Sequence, residues 1–228
     1  MKKLSVGLLS IVLAASSTLT FASGERTDIH ATADQVQPLL VGMSAPEFTV
    51  RDVNGLMFQF RPGQMDKPLV LTFFRGGWCP YCNLHLSELR LAEQQLEEMG
   101  FNIWFISIDK PELLLESLDD PDIGYTIFSD VSLEATRAFG LAFKMSDEMV
   151  RKYLSWDIDL ENASGESHHV LPAPATYIIG TDGLINFAYI NPNYKVRLHP
   201  EVLLVAAKTY QEGADRRLIK RRNQAKKK

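Results

Sequence analysis

The sequence predicts an α/β fold: short buried strands alternating with helices and stacked into one sheet that helices cover on both faces. Three observations carry this. PLVLTFF (68–74) and FNIWFISI (101–108) are compact apolar runs of the kind buried on both faces of a sheet. Between them lies a long segment with helical spacing of its apolar residues, and strands separated by helices imply a largely parallel arrangement. Asn54-Gly55 and Thr181-Asp182-Gly183 are hairpin signals between extended runs near the two ends.

Taken in order, VGMSAPEFTV passes into RDVNGLMFQF, where Asn54-Gly55 predicts an N-terminal hairpin with a type I′ turn. The run 68–74 ends at Gly76-Gly77, which punctuates the strand. From Pro80, Leu86, Leu89, Ala92, Leu96 and Met99 recur at helical spacing until Gly100 stops the helix. After 101–108 come a short helix (111–118), a strand (125–128) and another helix (131–140). Residues 141–171 break the rhythm and read as an inserted helix and loop, with Met145, Met149, Tyr153 and Trp156 packing as core. ATYIIG and LINFAYI then form a second hairpin, and 201–213 supplies a last amphipathic helix.

With 228 residues, 46% hydrophobic and 23% charged, the chain suits one globular domain and excludes a disordered or fibrous class. Two cysteines exclude a disulfide-dense scaffold, and a single apolar stretch excludes a multi-pass membrane protein. That stretch follows Lys2 and Lys3 and ends in small residues at Thr20 and Ala22, so residues 1–22 read as a cleaved export signal. A periplasmic or secreted location follows. Residues 216–228 hold eight of the 24 basic residues; with Lys2 and Lys3 also removed, 14 basic face 28 acidic residues. An acidic body opposes nucleic-acid binding, and the basic tail reads as a solvated end rather than a membrane contact. The expected organisation is a signal (1–22), a flexible lead-in (23–38), one domain (39–213) and the tail (214–228).

Chemistry concentrates in Cys79-Pro80-Tyr81-Cys82, at a helix start where unpaired backbone N–H groups and the helix dipole favour an anion. With Cys79 at the N-cap, Pro80 takes the first helical position, where its missing N–H costs nothing, and Cys82 follows one turn along on the same face. The two sulfurs can close a small disulfide ring, and a thiolate at this position has a lowered pKa. Arg75 would add to that effect, and Trp78 offers a flat apolar wall beside the sulfurs. This account needs adjacent sulfurs facing a groove. A purely structural disulfide gains little from so short a loop. A zinc site would need two more ligands, for which only the adjacent His168-His169 in a loop are candidates. A copper site is disfavoured by the tight cysteine spacing.

The order strand, CxxC, helix, strand, helix, then a proline before a strand (Ala173-Pro174-Ala175-Thr176-Tyr177) resembles the thioredoxin fold. The runs VGMSAPEFTVRDVNG (41–55), PLVLTFFRGGWCPYC (68–82), NIWFISID (102–109), IFSDVSLEATRAFGL (127–141) and PATYIIGTDGLI (174–185) together resemble the peroxiredoxin family of alkyl hydroperoxide reductases and thiol-specific antioxidants. The resemblance implies a thioredoxin-like α/β fold: a central mixed sheet flanked by helices on both faces, with an N-terminal hairpin. It also implies a cis-proline at Pro174 facing the cysteines. The family's PxxxTxxC motif places Arg75 where its proline stands, Cys79 where its threonine stands and Cys82 at the peroxidatic cysteine. Its distant arginine would fall near Pro174, so much of the usual peroxide-activating set is expected to be missing. Thioredoxin-like geometry instead makes an exposed Cys79 the attacker and Cys82 the resolver, and the assignment stays open at this point.

The expectation for function is an exported, cofactor-free and metal-free thiol oxidoreductase. It reduces hydroperoxides through Cys79 and Cys82, supported by Arg75, Trp78 and Pro174, and is regenerated by a thioredoxin-like or other dithiol reductant. The alternatives are a thiol–disulfide oxidoreductase acting on exported protein disulfides, and a metal-binding or interaction protein.

Overall fold

The computed structural model describes residues 25–114 and 126–213. The expected export signal, the basic tail and residues 115–118 of the expected short helix lie outside the described residues. The described chain runs β1 (Phe48–Arg51), β2 (Met57–Phe60), β3 (Leu69–Phe73), α1 (Pro80–Glu98), β4 (Asn102–Ser107), β5 (Thr126–Ser129) and α2 (Glu134–Ala138). It continues through β6 (Ala142–Lys144), α3 (Asp147–Leu154), α4 (Leu160–Ser164), β7 (Val170–Pro172), β8 (Ala175–Ile179), β9 (Ile185–Ile190) and α5 (Pro200–Glu212). Of the expected 111–118 helix, Pro111–Leu113 form a single 3-10 turn.

Seven strands make one sheet in the order β2-β1-β5-β4-β3-β8-β9. Only the central β3, β4 and β5 run parallel to one another. The sheet is therefore mixed rather than largely parallel, because hairpin-connected strands at both margins must be antiparallel whereas helical crossovers return the chain in the same direction. Every residue of β3 is buried. Its alternate side chains serve two cores: Val70 packs with Leu86 and Leu89 of α1 and Leu203 and Ala207 of α5. Leu69, Leu71 and Phe73 pack on the opposite face with Ala135 and Phe139.

Helix α1 follows the sequence closely. Leu86, Leu89, Ala92 and Leu96 are its buried stripe, and Gly100, at φ +81°, ends it. There Gly100 N–H donates to Glu97 O (2.8 Å) and Phe101 N–H to Leu96 O (2.9 Å), closing the last carbonyls. The hairpin turns differ from the expected type I′, which needs two left-handed residues. Only Gly55 is left-handed in the first turn and only Gly183 in the second. Asp52 Oδ1 accepts from the N–H groups of Asn54 and Leu56, and Asp182 Oδ1 from that of Leu184. These carboxylates stabilise wider turns.

The inserted segment is more ordered than a helix and loop. β6 and β7 form a two-stranded antiparallel ladder, and α3 and α4 between them are capped by Ser146 and Asp159. Met145 and Tyr153 are buried, whereas Trp156 is 54% exposed and not core. The lead-in, expected to be flexible, is tied down over residues 26–30. His30 bonds through both backbone groups to β6, Arg137 Nε donates to Thr27 O, and Arg26 bonds to Ala138 O.

Candidate active site

Between β3 and α1 the chain turns through Arg75-Gly76-Gly77-Trp78. Gly76 has φ +149°, and a Cβ there would collide with the Trp78 indole and come within 2.7 Å of Asp109 Oδ1, so only glycine fits. Asp109, at the end of neighbouring β4, holds the turn by accepting from Gly77 N–H (2.7 Å) and Trp78 Nε1–H (3.2 Å). Burial pushes its carboxyl up to about 7. Asn83 Nδ2 donates back to Gly77 O (2.7 Å), fastening the helix start to the same turn.

Cys79 is the N-cap of α1 and Pro80 its first residue, and Cys82 N–H donates to Cys79 O (2.9 Å). Both cysteines are free thiols whose sulfurs lie in mutual hydrogen-bonding contact. The Cys82 Sγ–H donated to Cys79 is the main cause that brings the Cys79 pKa down to about 6, against burial, with help from the charges of Arg75 and Arg197. Burial pushes the Cys82 thiol up, and donating to Cys79 pushes it further. The pair therefore sits as a Cys79 thiolate and a Cys82 thiol. In a pH titration, the thiolate absorbance of the reduced protein should rise with a midpoint near 6. Below that midpoint the rate of Cys79 alkylation should fall about tenfold per pH unit, because only the ionised form attacks. A midpoint in the range of free cysteine would contradict the assignment.

Arg75 is 2% exposed, not a solvated charge. Its Nη2 donates to Tyr153 Oη (2.6 Å), and its guanidinium lies 4.1 Å from the Tyr194 ring and 5.3 Å from that of Trp78. Three aromatic side chains thus hold the cation where its charge acts on Cys79. Trp78 packs against the cluster that contains both sulfurs. Trp78 also lines a cavity of about 170 Å³ with Asp109, Ile158 and Asn162, and neither sulfur is in its walls.

Four side chains that the sequence did not single out complete the site: Arg197, His85, Tyr194 and Asp109. Arg197 Nη2 donates to Cys82 Sγ (3.2 Å) across 115 positions of sequence. A distant arginine, expected near Pro174 and hence missing, is therefore present after all, supplied by residues 191–199 between β9 and α5. His85, one turn beyond Cys82, donates from Nε2 to Leu198 O (3.1 Å). Burial, with the Arg197 charge, lowers its pKa to about 4, so it is a neutral donor that fixes this loop. Of the four, only Asp109 had a local signal, as an acid at the C-terminal end of a central strand, where α/β sheets place their sites.

Two further expectations are corrected. The peptide bond before Pro174 is trans; Pro174 O accepts from Asn191 N–H (3.1 Å), so Pro174 anchors the start of the 191–199 loop rather than presenting a cis bond to the sulfurs. Cys79 is not exposed: it is 2% accessible and Cys82 0%, in a cluster against which Tyr194 and Trp78 pack. The sulfurs are adjacent, and both are buried rather than exposed. His168 and His169 are engaged elsewhere, His168 Nδ1 accepting from Val170 N–H and His169 Nε2 bonding Glu161 Oε1. Among the described residues no group of three or more His, Cys, Asp or Glu side chains is placed to hold a metal ion.

Residues 41–188, spanning the β3–α1 junction and both cysteines, match the AhpC/TSA family. The chain belongs to the AhpC/TSA family. Within that family it is 28% identical over 106 residues to the peroxiredoxin Bcp of Escherichia coli, covering 46% of this chain and 67% of that protein. The fold is shared with a reduced Prx3 of Vibrio vulnificus solved with hydrogen peroxide, at a TM-score of 0.58 and 16% identity over 77% of this chain and 99% of the other. It is likewise shared with a peroxiredoxin-like protein from Aquifex aeolicus, at a TM-score of 0.58 and 17% identity over 75% and 88% of the two chains. AhpC/TSA members of this kind are thiol peroxidases, and the thioredoxin-like mixed sheet with its N-terminal hairpin is the family's architecture.

Proposed function

We propose that this chain is a thiol peroxidase that reduces hydroperoxides with its Cys79–Cys82 dithiol and is regenerated by an external thioredoxin-like dithiol. The observation that carries the reading is a Cys79 sulfur ionised by its partner thiol and flanked by the buried Arg75 and the half-buried Arg197. Arg75 Nε and Arg197 Nε and Nη1 are buried donors with no hydrogen-bond partner, suited to the oxygens of a peroxide. The Cys79 thiolate attacks the terminal peroxide oxygen, the O–O bond breaks, and the departing alkoxide takes a proton to leave as water or alcohol. The resulting sulfenic acid is attacked by Cys82, which loses its proton as the hydroxyl leaves as water, and the S–S bond forms. Two electrons and two protons from the external dithiol then restore both thiols.

Mixing the reduced protein with hydrogen peroxide in stopped flow should consume both thiols at a rate far above that of free cysteine. Oxidation no faster than free cysteine would reject the reading. Exchange with protein disulfides uses the same atoms, but the burial of both sulfurs disfavours a macromolecular disulfide as substrate. Little or no insulin reduction is the corresponding expectation. Residues 1–22, a basic start followed by an apolar run ending at Ala22, support action outside the cytoplasm.

A further inference from the structure

A row of oxidisable rings leads from the dithiol to the surface. Trp156 lies just past the end of α3, its N–H donating to Tyr153 O (2.9 Å), so the two side chains fall near one another on the same turn. Their ring centroids are 5.7 Å apart, and Tyr153 meets the Trp78 ring at 5.8 Å. Rings at such separations are in contact. The row therefore runs from a 54% exposed indole, through a buried phenol, to the residue bonded directly to Cys79.

Charge grades this row. Lys152 Nζ lies 5.2 Å over the Trp156 ring, and a cation there disfavours an electron vacancy on that ring, driving it inward. Arg75 acts in the same way on Tyr153 (5.5 Å) and on Trp78 (5.3 Å). Only Trp78 has an offset: its Nε1–H donates to Asp109 Oδ1 (3.2 Å), and burial raises the affinity of that carboxylate for a proton. An oxidised indole is strongly acidic, so Trp78 can pass its proton to Asp109 and take it back on reduction. The two tryptophans are thus stopping points, and Tyr153 bridges them.

We propose that Trp156, Tyr153 and Trp78 form an electron relay through which the dithiol reduces one-electron oxidants, radicals that take an electron from an exposed indole without reaching the buried sulfurs. This activity is separate from the two-electron chemistry of hydroperoxides. The radical takes one electron from Trp156 and leaves as its anion. Cys79 thiolate refills Trp156 by way of Trp78 and becomes a thiyl radical. The Cys82 sulfur, already in contact with it, joins it as the thiol proton is released, giving a disulfide radical anion in which three electrons share the S–S contact. A second equivalent of the oxidant removes the surplus electron. Two radicals are reduced, two electrons and one proton leave the thiolate–thiol pair, and the Cys79–Cys82 disulfide remains.

Pulse radiolysis tests this with the azide radical, an oxidant of indole, at a dose substoichiometric to the reduced protein. In the wild type, indolyl absorbance should decay as disulfide-radical-anion absorbance grows, at one rate that does not vary with protein concentration; a rate that rises with concentration means transfer between molecules and overturns the relay. Cys82→Ser should keep the indolyl signal and lose the second one, and its persistence there would overturn the dithiol as terminus. Trp156→Phe should lower the yield of disulfide radical anion several-fold with the hydrogen peroxide rate unchanged. Trp156→Tyr restores an oxidisable ring and should recover part of that yield. An undiminished yield in Trp156→Phe overturns the relay, as does a parallel loss of its peroxide rate. Wild-type protein that shows these transients yet is inert to hydrogen peroxide would reject the peroxidase reading and leave the relay standing.

Discussion

Cys79→Ser is expected to abolish peroxide reduction, by about a thousandfold or more, because the attacking atom is gone and serine does not ionise here. Cys82→Ser should behave differently. Its hydroxyl still donates toward the Cys79 sulfur, so the first step survives and the enzyme halts as a Cys79 sulfenic acid, trapped by dimedone and visible by mass spectrometry as one adduct per chain. Without a resolving thiol there is no turnover with a dithiol reductant. The opposite pattern, a Cys79→Ser protein that still consumes peroxide and a dead Cys82→Ser, would make Cys82 the peroxidatic residue. The family motif aligns it so, and the Arg197 contact at 3.2 Å would then be the stabiliser of its thiolate. The electrostatics favour Cys79, because Cys82 is the partner that gives its proton.

Arg75→Met should cost about a hundredfold in the rate of oxidation at neutral pH, the magnitude typical of losing a preorganised charge at a developing oxyanion. Two things change together. The Cys79 pKa rises, since Arg75 is the leading charge that lowers it, and the donor opposite the departing oxygen disappears. A purely structural role for Arg75 would lower stability without moving that pKa. The discriminating measurement is therefore the thiolate titration of Arg75→Met beside Arg75→Lys: lysine should recover part of the pKa shift and methionine none. Since the guanidinium also bonds Tyr153 Oη at 2.6 Å, Tyr153→Phe provides a variant that keeps the charge but loses the hydrogen bond. It should have a much smaller effect.

The parts of the fold that were legible are those determined by neighbours in sequence. The buried strand ending at Gly76-Gly77, the N-cap at Cys79 with Pro80 behind it, the helical stripe from Leu86 to Leu96 and the stop at Gly100 all depend on local conformational preference and periodicity. The β6–β7 ladder was not legible because strands of three residues leave no period to detect. Nor was the ordering of residues 26–30, since their partners, backbone atoms of β6 and Ala138 and the Arg137 side chain, are more than a hundred positions away. The cysteine pair stood out for its spacing, whereas Arg197 and Tyr194 lie in a connecting loop whose composition is that of any polar surface turn. Their meaning comes from the packing of that loop over the start of α1, a contact spanning more than a hundred positions.

The three tryptophans of the chain occupy quite different surroundings. Trp104 is shut inside the opposite core, Trp156 looks out to solvent, and Trp78 packs against the cluster that holds the sulfurs, with its indole nitrogen tethered to Asp109. Since a disulfide quenches indole emission by electron transfer at short range, closing the Cys79–Cys82 bond is expected to dim Trp78, a change that fluorescence of the unlabelled chain would read.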